Sequence, residues 1–181
     1  MKSLKEKYQK EIIPQLQKEF GIKNRLAVPK LVKVVVNMGI GEVFRDKKTL
    51  EATINDLAAI TGQKPSIKQA KISVAGFNIR RGMPVGLSVV LRGERMYAFL
   101  EKLFSIVFPR LRDFKGMSLK KFDKHGNYSF GLREHTVFPK IDLGKSAGVR
   151  SLEVTIVTST DNPEQSRKLL ELLGMPFEKE T

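Results

Sequence analysis

The sequence predicts an α+β fold: a single domain over residues 1–181, with a mostly antiparallel sheet packed against helices and protruding basic loops. Three observations predict it. A chain of 181 residues with 41% hydrophobic side chains is large enough for one core and short for two. Helical and alternating apolar periods mix along the chain without regular βα spacing, which argues against a doubly wound sheet. Stretches rich in glycine, Lys and Arg separate the periodic segments.

The elements follow in order. Leu4, Tyr8, Ile12, Leu16 and Phe20 recur at nearly every fourth position, a helix that Pro14 kinks or divides and Gly21 stops. Residues 31–36 are a β-branched strand, and Asn37-Met38-Gly39-Ile40-Gly41 is expected to turn the chain. Residues 49–60 are helical, with Leu50, Ile54, Leu57 and Ala58 on one side. Residues 65–71 suit an edge strand begun by Pro65, and residues 72–84 a long loop or open hairpin. Residues 85–92 alternate as a strand. Residues 96–108 form the most apolar helix, which Pro109 is expected to end. Residues 110–150 should hold short strands and loops, such as a strand over 128–132. Residues 151–158 are a strand, with Leu152, Val154, Ile156 and Thr158 on one face. Asn162 should cap a last helix that begins at Pro163, with Gln165 completing a capping box and Gly174 and Pro176 closing it.

Charge is the strongest pointer to function. There are 33 Lys and Arg against 19 Asp and Glu, a net charge of +14. A polyanion relieves the self-repulsion, and nucleic acid is the first candidate. Residues 1–90 carry most of the excess, with 17 basic and 7 acidic side chains. No acidic residue occurs from Leu57 through Gly93, a window that holds Lys64, Lys68, Lys71, Arg80, Arg81 and Arg92. A one-sign stretch of that length suggests an anion-facing surface, against the plainer reading of a solvated basic loop. No apolar run reaches membrane-span length, and the first residues lead into charge, so neither membrane nor secretion is expected.

Catalytic chemistry is not expected. There is no cysteine, which removes disulfides, thiol nucleophiles and thiolate metal sites. Gly39-Ile40-Gly41 follows a strand, but Phe44 stands where a dinucleotide fingerprint needs its third glycine. His125 and His135 are the only histidines, and no ligand spacing joins them. Ser66, Ser73 and Ser88 have no nearby histidine in the sequence. Glu94 beside Arg95 and Asp113 beside Arg112 suit ordinary ion pairs. No cofactor and no metal are expected. An enzyme acting on RNA and a protein- or membrane-docking module are the alternatives weighed and set below RNA binding.

Anion binding has better support. Gly39 and Gly41 let backbone approach a phosphate, and their N–H groups can form a nest. Asn37 can pair with a base edge or with its own turn. Arg80 and Arg81 precede Gly82 at a loop tip, where guanidinium groups fork onto phosphate or stack on a base. Phe77 beside them either stacks on a nucleotide or anchors the loop to the core. Irregular loops suit folded RNA better than duplex DNA.

The run Val34-Val35-Val36-Asn37-Met38-Gly39-Ile40-Gly41, then Ile60-Thr61-Gly62-Gln63-Lys64-Pro65, then Ser73-Val74-Ala75-Gly76-Phe77 with Gly82-Met83-Pro84-Val85-Gly86, carries a resemblance. Leu91-Arg92-Gly93-Glu94-Arg95-Met96-Tyr97, Pro109-Arg110-Leu111-Arg112-Asp113-Phe114-Lys115-Gly116, Gly126-Asn127-Tyr128 and Leu172-Leu173-Gly174-Met175-Pro176-Phe177 extend it along nearly the whole chain. The sequence resembles the bacterial family of large-subunit ribosomal protein number five, the 5S-rRNA-binding proteins of the central protuberance. The resemblance implies a structural role without catalysis, in a cytoplasmic, ribosome-bound protein. It implies 5S rRNA, 23S rRNA, peptidyl-site tRNA, a small-subunit head protein across an intersubunit bridge and other central-protuberance proteins as partners.

By the same resemblance, Asn37, Met38, Gly39, Gly41, Gln63, Lys64, Lys68 and Lys71 belong to the 5S rRNA surface. Ser73, Ala75, Gly76, Phe77, Asn78, Arg80 and Arg81 form the tRNA-facing loop. Arg110, Arg112, Lys115, Lys120, Lys121 and Lys124 belong to the bridge side or to nearby RNA. Gln69, Asn78 and Arg81 depart from the residues common in the family. The departures keep the loop basic and move its charge by a few positions.

Overall fold

The computed structural model describes residues 3–41, 46–112, 114–139, 141 and 148–178. The chain folds into two compact units, each built from separated stretches. The first comprises Met1–Val34, Arg92–Phe130 and Thr155–Thr181, and the second Val35–Leu91 and Gly131–Val154.

In the first unit, the Ser3 side chain accepts from the Glu6 N–H and caps α1 (Leu4–Lys7). A π turn over Tyr8–Ile12 and then α2 (Ile13–Phe20) continue it to Gly21, whose φ of 65° ends the helix. The expected disturbance at Pro14 takes this form. Proline has no N–H to donate, and its ring crowds the carbonyl four residues back. Ile13, just before it, therefore donates to Tyr8, five residues back. The same solution recurs after α4 (Gly93–Lys102). A π turn over Leu103–Val107, closed by the Phe108 N–H on the Leu103 carbonyl, leads into α5 (Phe108–Arg110). Pro109 thus lies inside the last turn and does not end the helix. Phe99, Leu100, Leu103, Val107 and Phe108 are buried, which puts this helix at the centre of the unit's core. α1 packs on α4, and α2 on α6 (Pro163–Leu173).

The start of α6 follows the sequence, with one change. Asn162 accepts from the Glu164 N–H at 2.9 Å, and Pro163 is the first helical residue. Gln165 does not close a capping box. Its Oε1 accepts from the Thr160 hydroxyl at 2.8 Å, and the Thr160 oxygen accepts the Asn162 N–H at 3.2 Å. The threonine stands between the two ends of the box.

In the second unit, Asp46 caps α3 (Lys47–Thr61), which packs on β3 (Pro84–Leu91); Leu57, Ile60, Leu87 and Val89 of these elements are buried. Along the whole chain five strands lie in the order β2-β3-β1-β5-β4, of which only β2 and β3 fall wholly in the second unit. Here β1 is Leu31–Gly39, β2 Ser66–Gln69, β4 Tyr128–Leu132 and β5 Leu152–Thr158. β2 runs antiparallel to β3 at the sheet edge, with Ser66 opposite Ser88 and an irregularity between Lys68 and Gln69. Along β1, β4 and β5, buried residues alternate with more exposed ones, the mark of a sheet covered on one side. Antiparallel strands with segregated helices make the fold α+β.

β1 corrects the expected turn at residues 37–41. The strand carries on through Asn37 and Met38 to Gly39, and the Ile40 N–H still donates to the Val85 carbonyl. Met38 continues the buried series of Val34 and Val36, so the hydrophobic pattern holds the chain extended.

Candidate nucleic-acid interface

The alternation along β1 separates its functional candidates. Met38 is only 1% exposed, so its side chain belongs to the core and only its backbone is left to meet a ligand. Asn37 and Gly39 alternate with it on the other face. The half-buried Asn37 amide makes no hydrogen bond among the described residues, so the option of pairing with its own turn is not taken. Gly39 is exposed, its φ is not left-handed, and a Cβ there would meet nothing within 4 Å. Gly41 does adopt a left-handed φ of 49°, while Phe44 lies outside the described residues.

β2 and β3 extend the surface. Lys68 pairs opposite Gly86 and Ser66 opposite Ser88. Gly86 approaches β1 closely: a Cβ there would stand 3.4 Å from the Met38 carbonyl. Gln63 follows the left-handed Gly62 that ends α3, and its Nε2 donates to the Val90 carbonyl. Lys64, Lys68 and Lys71 are all exposed, and none forms an ion pair among the described residues. The sequence from 57 to 93 offers them no acidic neighbour. Sequence reasoning misses Ser88 and Val90 as members of this face. Their signal is the alternation of Gly86, Ser88 and Val90 with the deeply buried Leu87, Val89 and Leu91; the small Ser88 is itself nearly covered, and Val90 is open.

Residues 70–84 form a hairpin with its own frame. Ala70 donates to the Met83 carbonyl and Gly82 to the Ala70 carbonyl. Val74 and Ile79 form an antiparallel bridge around a tight turn over Ala75–Phe77, which Asn78 closes at a left-handed φ of 52°. The Ser73 oxygen accepts the Arg81 N–H at 3.0 Å, so this side chain braces the tip. Phe77 is 78% exposed and Ile72 70% exposed. The option that Phe77 anchors the loop to the core is therefore wrong, and its ring faces solvent. Ala75, Gly76, Arg80 and Arg81 are exposed beside it.

The first unit carries a second basic surface. Arg110, Arg112, Lys115, Lys120, Lys121 and Lys124 are all exposed; Asp113 and Lys145 lie outside the described residues. Asp123 shapes the loop. Its carboxylate accepts from the His125 N–H at 2.9 Å, the Asn127 N–H at 2.7 Å and the Asn127 amide at 2.8 Å. Burial pushes its carboxyl up, but the Asn127 and His125 hydrogen bonds and the nearby His125 together hold it below the usual range. Tyr128, behind the loop, donates to the Ser118 carbonyl at 2.8 Å, and burial with the Glu178 charge pushes its phenol up to about 12.

The two histidines sit in separate local environments. His125 is exposed with its Nδ1 3.4 Å from Asp161. His135 is buried; its Nδ1 accepts the Arg150 N–H at 3.1 Å and its Nε2 lies 3.5 Å from Asp56. Among the described residues, no three His, Asp or Glu side chains gather as a metal site, and no helix is long and apolar enough to cross a membrane. Among the described residues these surfaces offer exposed cations, the Asn37 amide and an exposed ring. Those groups are the kind that suit a polyanion.

Comparison with known proteins agrees. The pattern of the ribosomal protein L5 family matches residues 24–80, and the pattern of that family's C-terminus matches residues 84–177. A large ribosomal subunit protein uL5 from Chloroflexus aurantiacus is 57% identical over 174 residues, covering 96% of this chain and 97% of the relative. The uL5 proteins of Caldanaerobacter subterraneus and Carboxydothermus hydrogenoformans are 54% and 51% identical over 179 residues, 99% of this chain and all of each relative. With both patterns in sequence order and relatives matched end to end, the chain belongs to the uL5 family of large ribosomal subunit proteins.

Proposed function

We propose that the chain binds 5S rRNA through the uncovered face and edge of its second unit, and so helps attach that RNA in the central protuberance. Family membership already makes it a structural, rRNA-binding ribosomal protein and not an enzyme. The observation that carries the finer reading is the acid-free stretch of residues 57–93, whose exposed lysines have no ion pair and lie in the same unit as an Asn37 amide with no hydrogen bond, among the described residues. Lys64, Lys68 and Lys71 neutralise phosphates, the Gly39 backbone lies flush against the RNA, and Asn37 reads a base or ribose group. Residues 1–181 act as one RNA-binding domain in a cytoplasmic, ribosome-bound protein.

The hairpin reaches the peptidyl-site tRNA, with Phe77 and the two arginines at its tip. Residues 110–124 meet 23S rRNA or a small-subunit head protein across the intersubunit bridge, among other central-protuberance proteins. The exposed ring and the exposed cations, which form no ion pair among the described residues, support both assignments.

The test is binding to purified 5S rRNA against a tRNA and a random duplex at several salt concentrations. Preference for 5S rRNA that survives at high salt is expected. Equal and steeply salt-dependent binding to all three would overturn the reading, because charge alone would then account for it.

A further inference from the structure

We propose that the C-terminal segment Met175–Glu178 is a strap that sets the position of the basic loop 114–124, with Phe177 its positioning residue. The idea rests on the reading of that loop as a binding surface. All the contacts lie in the first unit.

The strap is fixed at one end to α6. Gly174, at φ 102°, turns the chain, the Met175 N–H donates to the Leu170 carbonyl at 2.9 Å, and the Met175 side chain is buried. It then lies parallel to the loop. The Met117 N–H donates to the Pro176 carbonyl at 2.8 Å, and the Glu178 N–H donates to the Met117 carbonyl at 3.1 Å. Gly116 lets the two backbones meet. A Cβ there would stand 2.6 Å from the Glu178 nitrogen and 2.8 Å from the Phe177 carbonyl carbon, and φ is 114°. No side chain fits at that position without moving the strap.

Phe177 then closes an aromatic cluster on the far side of the loop. Its ring centre lies 5.9 Å from Phe122 and 5.8 Å from Tyr128, which meet each other edge-on at 4.6 Å. Lys115 adjoins Gly116, and Lys120, Lys121 and Lys124 flank Phe122. Four exposed cations thus sit on a stretch with one short helical turn and no long strand, tied at Met117 and Phe122. An array held this way keeps a fixed spacing toward a charged partner, and ordering it beforehand lowers the entropy lost on binding.

The experiment is competition with the wild-type chain for incorporation into large subunits reconstituted in vitro, read beside backbone amide shifts of residues 115–124. Phe177→Ala should remain folded, shift those amides and compete about tenfold worse, and Phe177→Tyr should restore both. Ending the chain at Met175 is the second variant, which removes the strap and leaves the loop's own sequence intact; it should behave like Phe177→Ala and decides the matter if Phe177→Ala does not fold. A folded strap variant with displaced loop amides and wild-type competition would overturn the proposal, as would amides that do not move. A Lys120→Gln, Lys121→Gln, Lys124→Gln variant separates the two ideas. If it competes as wild type, the binding reading of the loop fails and the strap loses its purpose with it. If it competes poorly and the strap variants do not, only the strap fails.

Discussion

A glycine inside a strand ordinarily weakens it, because it loses more backbone freedom on folding and offers no side chain to pack. Among the described residues Gly39 has no compensating reason, since its φ is not left-handed and a Cβ there would meet nothing within 4 Å. Gly39→Val should therefore leave the melting temperature unchanged or slightly raised and weaken 5S rRNA at least about tenfold. Wild-type affinity in that variant would show that nothing approaches Gly39 closely. Lys64→Ala or Lys68→Ala should lower the slope of log affinity against log salt by about 0.7–0.9 each, one phosphate contact apiece. Asp123→Ala should cost about 1–2 kcal/mol in urea denaturation, because three N–H donors lose their acceptor. Its lowered carboxyl makes the wild-type contribution complete above the ordinary carboxylate range. That contribution is lost as pH falls through the lowered folded value, and the amide shifts of His125 and Asn127 should follow. The charges at these positions are legible in the sequence. The burial of Met38 and the exposure of Phe77 are not, since each apolar residue suits either role until its neighbours across the sheet are known.

Single helices and strands show the same division. Asn162, Pro163 and Gly174 mark both ends of α6 because capping is local chemistry within a few residues. Asn162→Ala should cost about 1 kcal/mol of stability, measured by thermal or urea unfolding. The strand over Tyr128–Leu132 is equally plain, since period-two alternation needs no distant partner. The end of β1 is hidden because Asn37 and Gly39 are turn-formers by propensity, and pairing with β3 overrides them. The passage through Pro109 is hidden for another reason. Proline forbids one hydrogen bond, but a longer i→i+5 bond answers that loss without breaking a helix that the core already holds.

For the whole molecule, the charge balance and the order of motifs identify a ribosomal RNA-binder, whereas the assembled face needs register. Only strand pairing brings Lys68 opposite Gly86, and only the sheet order sets β3 beside β1. The interleaved units have a consequence for synthesis. The second unit is unfinished until Val154 has been made, and the first until the C-terminal helix has followed. A nascent chain paused near Leu91 already displays the lysines and arginines of the acid-free stretch, on a scaffold that still lacks part of its interior. The basic loops are therefore made before the unit that carries them is complete. A message ending at Leu91 should yield a protease-sensitive product without preference for 5S rRNA.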